Sequence, residues 1–144
     1  MEAFKNGFDA KRFAMAGKAR LTVRSLKTGV RFTYKITRKN EDSPFFVSVL
    51  TGSDNESDYS YIGTIFPDNL VFRHTWKSKI SQGAPSVIAF QYVWKYISEN
   101  VIPPMTEVFH EGRCGKCARV LTVPESIVSG LGPICAKGGL DAHT

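Results

Sequence analysis

The sequence predicts an α+β fold: an antiparallel sheet of four or five strands, one long helix packed on it, and a small C-terminal knuckle built around cysteines. Three observations lead there. Two N-terminal stretches alternate apolar and polar residues at the period of a strand. The stretch from Pro85 to Glu99 repeats apolar residues at the period of a helix. Three cysteines, Cys114, Cys117 and Cys135, crowd the last third of the chain. The expected layout is a basic α+β portion over residues 1–104 and a knuckle portion over 105–144, joined as one compact unit.

Asp9 to Ala16 reads as a short helix, with Asp9 as N-cap and Gly17 as stop. Ala19-Leu21-Val23 then alternate with Arg20-Thr22-Arg24, and Val30-Phe32-Tyr34-Ile36 alternate with Arg31-Thr33-Lys35-Thr37. Leu26-Lys27-Thr28-Gly29 between them turns the chain, which predicts a hairpin. Side chains of one parity share a sheet face, so Arg20, Arg24, Arg31 and Lys35 are expected together, diluted by threonines. A third strand follows over Phe45 to Leu50 and a polar loop over Thr51 to Asp58. The fourth strand runs Tyr59 to Phe66 and a short fifth lies around Leu70 to Phe72. In the helix beginning at Pro85, which suits a first turn, Val87, Phe90, Val93, Trp94 and Ile97 form one stripe. Such a stripe is a core face, not a ligand cage. Pro103-Pro104 forbids its continuation.

At 144 residues the chain is sized for one domain, with or without a metal-built appendage. Hydrophobic residues at 42% and aromatics at 12% supply a real core and exclude a disordered tail. No apolar run approaches the ~20 residues of a membrane span. Lys5, Lys11 and Arg12 stand in the first segment without the apolar stretch of a secretory signal, so an intracellular protein is expected.

Charge is unevenly spread. Residues 1–39 hold eleven Lys and Arg against Glu2 and Asp9, a balance of +9, whereas residues 40–75 carry six acids against Arg73 alone, −5. The remainder, at +2, brings the whole chain to +6. A basic face for nucleic acid or another anionic partner is one reading, and simple solubility is the other.

The cysteines carry the most specific signal. Three cannot pair completely, which argues against a disulfide framework and for metal ligation in a reducing compartment. Cys114-Gly-Lys-Cys117 is a tight knuckle whose sulfurs point at one place. Thr122-Val-Pro-Glu125 reads as a capping box opening a short helix through Val128. Gly130 ends that helix and Gly132-Pro133 returns Cys135 to the knuckle. Tetrahedral Zn²⁺ takes four such donors at ~2.0–2.3 Å, and the cysteine-rich set marks a structural, not a catalytic, ion. A thioredoxin-type redox pair would instead follow a strand and open a helix. Candidates for the fourth donor are His110, His143 and Asp141. His110 is preferred, because Cys₃His is an ordinary structural set and His143 lies in the tail.

The run Cys114-Gly-Lys-Cys-Ala-Arg-Val-Leu-Thr-Val-Pro-Glu-Ser-Ile, followed by Ser129-Gly-Leu-Gly-Pro-Ile-Cys135-Ala, resembles a family of phage and bacterial proteins, the domain of unknown function 6011. Phe46-Val-Ser-Val-Leu-Thr-Gly and the Asp54-to-Gly63 region extend that likeness upstream. The resemblance implies that His110 belongs with the three cysteines, and it implies a phage or prophage setting, hence the cytoplasm of a bacterial host. It implies no activity. Ala118 departs from the family pattern, where glycine is usual.

Two functions of different class follow. In the first, the protein binds nucleic acid. Arg20, Arg24, Arg31 and Lys35 on the hairpin track phosphates, supported by Lys11, Arg12, Lys18, Arg38 and Lys39 and by Arg113, Lys116 and Arg119 around the knuckle. Thr22, Thr33 and Thr37 donate to phosphate oxygens, and Tyr59 and Tyr61 stack on single-stranded bases. In the second, it binds a host or defence protein, using the acidic loop Ser53 to Asp58 beside Tyr59 and Tyr61 as an inhibitor's contact patch. Catalysis is not expected. Asp54, Glu56 and Asp58 are spaced like the start of a calcium loop, but the glycine and closing glutamate are missing. His74, beside Trp76 and Lys77, is a lone histidine with no partner set.

Overall fold

A computed structural model of the chain describes residues 3–54, 57–119 and 129–132. Its elements are α1 (Gly7–Ala14), β1 (Lys18–Ser25), β2 (Arg31–Thr37), β3 (Phe45–Leu50), β4 (Tyr59–Ile65), β5 (Phe72–His74), α2 (Pro85–Ile97) and β6 (Thr106–His110). The α+β class and the antiparallel sheet are as expected, but among the described residues the sheet has six strands instead of four or five, in the order β5-β4-β3-β2-β1-β6. The addition is β6, which pairs with β1 from Leu21↔His110 to Ser25↔Thr106. It is short, and its partner lies far back in the sequence, so local alternation gives it little signal. The sheet therefore draws its last strand from beyond the Pro103-Pro104 boundary.

The β1–β2 hairpin forms in register from Lys18↔Thr37 to Arg24↔Arg31. Helix α1 starts two residues earlier than expected, and its N-cap is Asn6 rather than Asp9. Asn6 is extended, at φ −144°, and its side chain accepts the Asp9 amide at 2.9 Å. Asp9 instead places its carboxylate in the first turn, where the helix dipole favours it. Strand β4 stops at Ile65, one residue short of Phe66. The fifth strand begins at Phe72 because Leu70 turns the chain with φ 57°, and the Leu70 carbonyl accepts the Trp94 indole N–H at 2.8 Å. The expected helix from Thr122 to Val128 lies outside the described residues.

Both helices cover the same face of the sheet. Ala19, Leu21 and Val23 of β1, Tyr34 and Ile36 of β2, and Phe45, Val47 and Val49 of β3 point into that layer with the Val87, Phe90, Val93, Trp94 and Ile97 stripe. The stripe is core, as its spacing implies. Phe90 sits edge-on to Tyr34 and to Phe72, with centroids at 4.9 and 4.8 Å. The Tyr34 hydroxyl donates to the Ser86 carbonyl at 2.6 Å, which fixes the start of α2 over β2. Burial pushes the Tyr34 phenol well above its ordinary pKa, so it stays a protonated donor. Among the described residues, neither helix covers the opposite face of the sheet.

Candidate functional site

The open face can be read row by row from the strand register, since paired residues share a face. One row crosses five strands as Lys18, Thr37, Phe46, Thr64 and Arg73. Beside it run Arg20, Lys35, Ser48 and Tyr61. A β-bulge keeps Tyr61 in that row, because Val47 pairs with Gly63 while Ser48 pairs with Tyr61, leaving Ile62 as the extra residue. Farther along lie Thr22 and Thr33, whose hydroxyls meet at 2.7 Å, and then Arg24 and Arg31.

Lys18, Thr37 and Phe46 of the first row and Arg20 and Lys35 of the second line a groove of about 540 Å³. Lys18 and Arg20 of β1, Lys35 of β2, Arg38 and Lys39 just after it, and Arg113 of the knuckle all border it, and Glu111 is the one acid on this wall among the described residues. Six cations from separate segments thus meet at one concavity, where low-dielectric walls focus the field. The Lys35 ammonium lies 4.4 Å from the centre of the Tyr59 ring and the Arg38 guanidinium 4.5 Å from that of Phe45. Both cations are held over aromatic faces rather than waving freely.

Not every basic residue named from sequence joins this groove. Lys18, Arg20, Lys35, Arg38, Lys39 and Arg113 do, whereas Lys11 and Arg12 do not. Arg24 and Arg31 line a separate hollow with Glu107 and Glu111, where Arg24 forms an ion pair with Glu107 at 2.6 Å. That half of the hairpin face is close to neutral. Lys116 and Arg119 are exposed but lie outside the groove wall. Sequence reasoning missed Phe46 in the groove; the Thr37↔Phe46 pairing that puts it there is set by the β2–β3 register, which alternation within each strand does not fix.

The knuckle closes one end of the groove. Cys114 is 1% exposed and packs with Leu131 and Ala16, whereas Cys117 is exposed; neither thiol is in a disulfide. Burial raises the Cys114 pKa, but the amides of Gly132, Cys117 and Lys116 and the Cys117 side chain outweigh it, and the thiol lies below its ordinary value. The Lys116 amide stands 3.4 Å from Cys114 Sγ. Amides converging on a sulfur stabilise a thiolate, the form that ligates metal.

The turn closes by Ala118 N–H donating to the Cys114 carbonyl and Cys114 N–H donating to that of Arg119, both at 2.8 Å. Ala118 adopts φ 65°, the left-handed region, which explains why glycine suits this place. No helix opens at Cys117 among the described residues, unlike a thioredoxin-type pair. Two thiols on one turn, one of them stabilised as thiolate, are donors of the kind Zn²⁺ takes. The other donors expected from sequence, Cys135, His143 and Asp141, lie outside the described residues.

His110 sits on the core face of β6, opposite Leu21, and is 4% exposed. Its ring lies 5.5 Å from Phe4 and 5.6 Å from Phe13, and Nδ1 accepts the Gly112 amide at 2.8 Å. It does not gather with Cys114 and Cys117: among the described residues no three metal-ligating side chains come together. Phe13 links the two places, since its ring also lies against the backbone of Gly115 and Gly130.

Fold and site together define an α+β protein with an open basic sheet face and a cysteine knuckle at its margin. A family model described as a family of unknown function, DUF6011, matches residues 104–138, so the chain resembles that family over β6 and the cysteine segment. Comparison with curated proteins and with solved structures gives no match. No helix among the described residues is long and apolar enough to cross a membrane.

Proposed function

We propose that the protein binds nucleic acid in the groove on the open face of its sheet, without catalysis, and that Cys114, Cys117 and Cys135 hold a structural Zn²⁺ that fixes the end of this groove. The observation that carries the reading is the meeting of Lys18, Arg20, Lys35, Arg38, Lys39 and Arg113 in one concavity. A phosphate backbone is the partner that such a row of cations neutralises best, and the Thr37 hydroxyl beside them is an ordinary phosphate donor. Weak sequence preference is expected, because no helix among the described residues enters a duplex groove with Arg, Asn or Gln at its front.

The role of zinc follows from the attachment of the knuckle to the sheet. The Lys18 amide donates to the Gly115 carbonyl at 2.7 Å, and Arg113 Nη1 donates to the Ala118 carbonyl at 3.1 Å. A metal that rigidifies the knuckle therefore sets where Lys18 and Arg113 stand. Thiolate ligation requires a reducing compartment, which favours a working protein inside a cell. His110 is the fourth donor named by the family likeness, and adopting that role requires its ring to leave the Phe4–Phe13 packing.

Binding to a host or defence protein through the acidic loop draws less support. The Asp58 carboxylate accepts the Asp54 amide at 2.9 Å, so this side chain is engaged within the loop. Titration of labelled DNA and RNA at about 50 mM salt tests the main reading: affinity should fall steeply with added salt. Absence of binding at that ionic strength overturns it. Elemental analysis of reduced protein tests the metal independently.

A further inference from the structure

A second hollow, about 680 Å³, adjoins the basic groove and shares Phe46 with it. Its walls are of another kind: Phe46, Tyr61, Phe66 and Trp76, with Arg73 and Lys77 at the border. Phe46 is 40% exposed, Phe66 42% and Trp76 87%. Large rings at that exposure on one patch are costly to leave in water and mark a contact surface. The Phe46 and Tyr61 rings are neighbours, with centroids 6.1 Å apart.

Trp76 is not at the tip of a loose loop. Thr75 Oγ donates to the Tyr61 hydroxyl at 3.1 Å, the Ser78 amide donates to the Thr75 carbonyl at 3.0 Å, and His74 Nε2 meets the Ile80 carbonyl at 2.7 Å. These bonds brace the segment on either side of the indole while the indole itself faces solvent. The Lys77 ammonium lies 5.7 Å from the ring centre. Tyr59, expected from sequence to stack on bases, has its ring under Lys35 instead.

We infer that Phe46, Tyr61 and Trp76 form a base-stacking platform, and that the ligand of the open face is single-stranded nucleic acid. The inference rests on the reading of the basic groove as a phosphate site and adds the class of strand. Charge complementarity chooses the occupant. The aromatic hollow continues directly into six cations, and only a chain carrying both phosphates and unpaired flat rings satisfies the two halves at once. In a duplex the base faces are hidden in the stack, so the same protein would reach the phosphates alone.

Oligothymidylate, an abasic phosphodiester of equal length and a duplex are the probes, titrated against wild-type protein, Trp76→Ala and Trp76→Phe. The indole is exposed, so both variants should keep the wild-type unfolding midpoint. Wild type should prefer oligothymidylate to the abasic strand and to the duplex. Trp76→Ala should lose about tenfold for oligothymidylate and nothing for the abasic strand, Trp76→Phe should recover most of the loss, and the salt slope should not change. Equal binding of oligothymidylate by wild type and Trp76→Ala overturns the platform while leaving the groove intact, as does equal affinity of wild type for the abasic strand. Failure of wild type to bind any of the three probes overturns the groove reading, and the platform with it.

Discussion

Phe13 lies so close to Gly115 that a β-carbon on the glycine would come within 2.7 Å of the ring's Cδ1 and 2.9 Å of the Phe13 carbonyl oxygen. The same ring would meet a β-carbon on Gly130 at 2.5 Å, and it packs on Phe4 at 5.4 Å. One side chain from α1 is thus the seat on which the cysteine turn rests.

Phe13→Ala should therefore cost about 3–5 kcal/mol, the usual loss for an aromatic ring removed from a core. Gly115→Ala should displace the knuckle from its seat rather than unfold the sheet, because one of the atoms it meets is backbone and cannot swing away. Chemical denaturation reports the first. Weaker retention of zinc in competition with a chelator, at an unchanged sheet signal in circular dichroism, reports the second.

Ala118 holds φ 65° without the freedom of glycine. Ala118→Gly should relieve a left-handed strain of order 1 kcal/mol and raise the denaturation midpoint without changing the m-value. A fall in midpoint would show that the strain is absent.

Metal-free, reduced protein should become more stable as pH rises, through Cys114. Its folded pKa lies below the ordinary value of 9.0, so its contribution is complete above about pH 9 and fades as pH falls through the folded value. Cys114→Ser should remove that part of the pH dependence. In the zinc-loaded protein, acidification should release the ion as thiolates are protonated, and chelation or Cys135→Ser should unfold at least residues 108–136.

Lys18 and Arg24 share one face of β1, yet their substitution should differ in effect. Lys18→Ala and Lys39→Ala should each weaken nucleic-acid binding and lower the salt slope by about one. Arg24→Ala should leave both nearly unchanged, because Glu107 already neutralises it. The pair is partly exposed, so its loss should cost under ~1 kcal/mol of stability. Salt-dependent titration of the three variants decides the matter.

The elements that rest on local patterning are readable in the residues themselves. The hairpin follows from strict alternation, the strand Phe45–Leu50 coincides with its expected bounds, and α2 follows from its stripe and Pro85. What escapes such reading is settled at a distance. Asn6 outcompetes Asp9 as a cap because its backbone is already extended where the chain leaves the bridge at Ala3↔Phe109. Strand β6 exists because β1 offers it an edge. The basic residues are legible as a set, but their division into a groove and a neutralised corner depends on Glu107 arriving from the far end of the chain. Trp76 reads in sequence only as a neighbour of His74; its place beside Tyr61 needs the β4–β5 pairing.

The strand order also bears on how a newly made chain matures. β1 to β5 form a meander that can grow outward from the hairpin as each strand emerges. The outer flank of β1, however, waits some eighty residues for Thr106–His110, and until then its amides and carbonyls are open to any extended peptide nearby. The step that shuts this flank is followed at once by the cysteines. In the zinc-bound form proposed above, capture of the ion would act as a latch on the first-made strand, and starving cells of zinc should then show up as intermolecular strand pairing before it shows as lost binding.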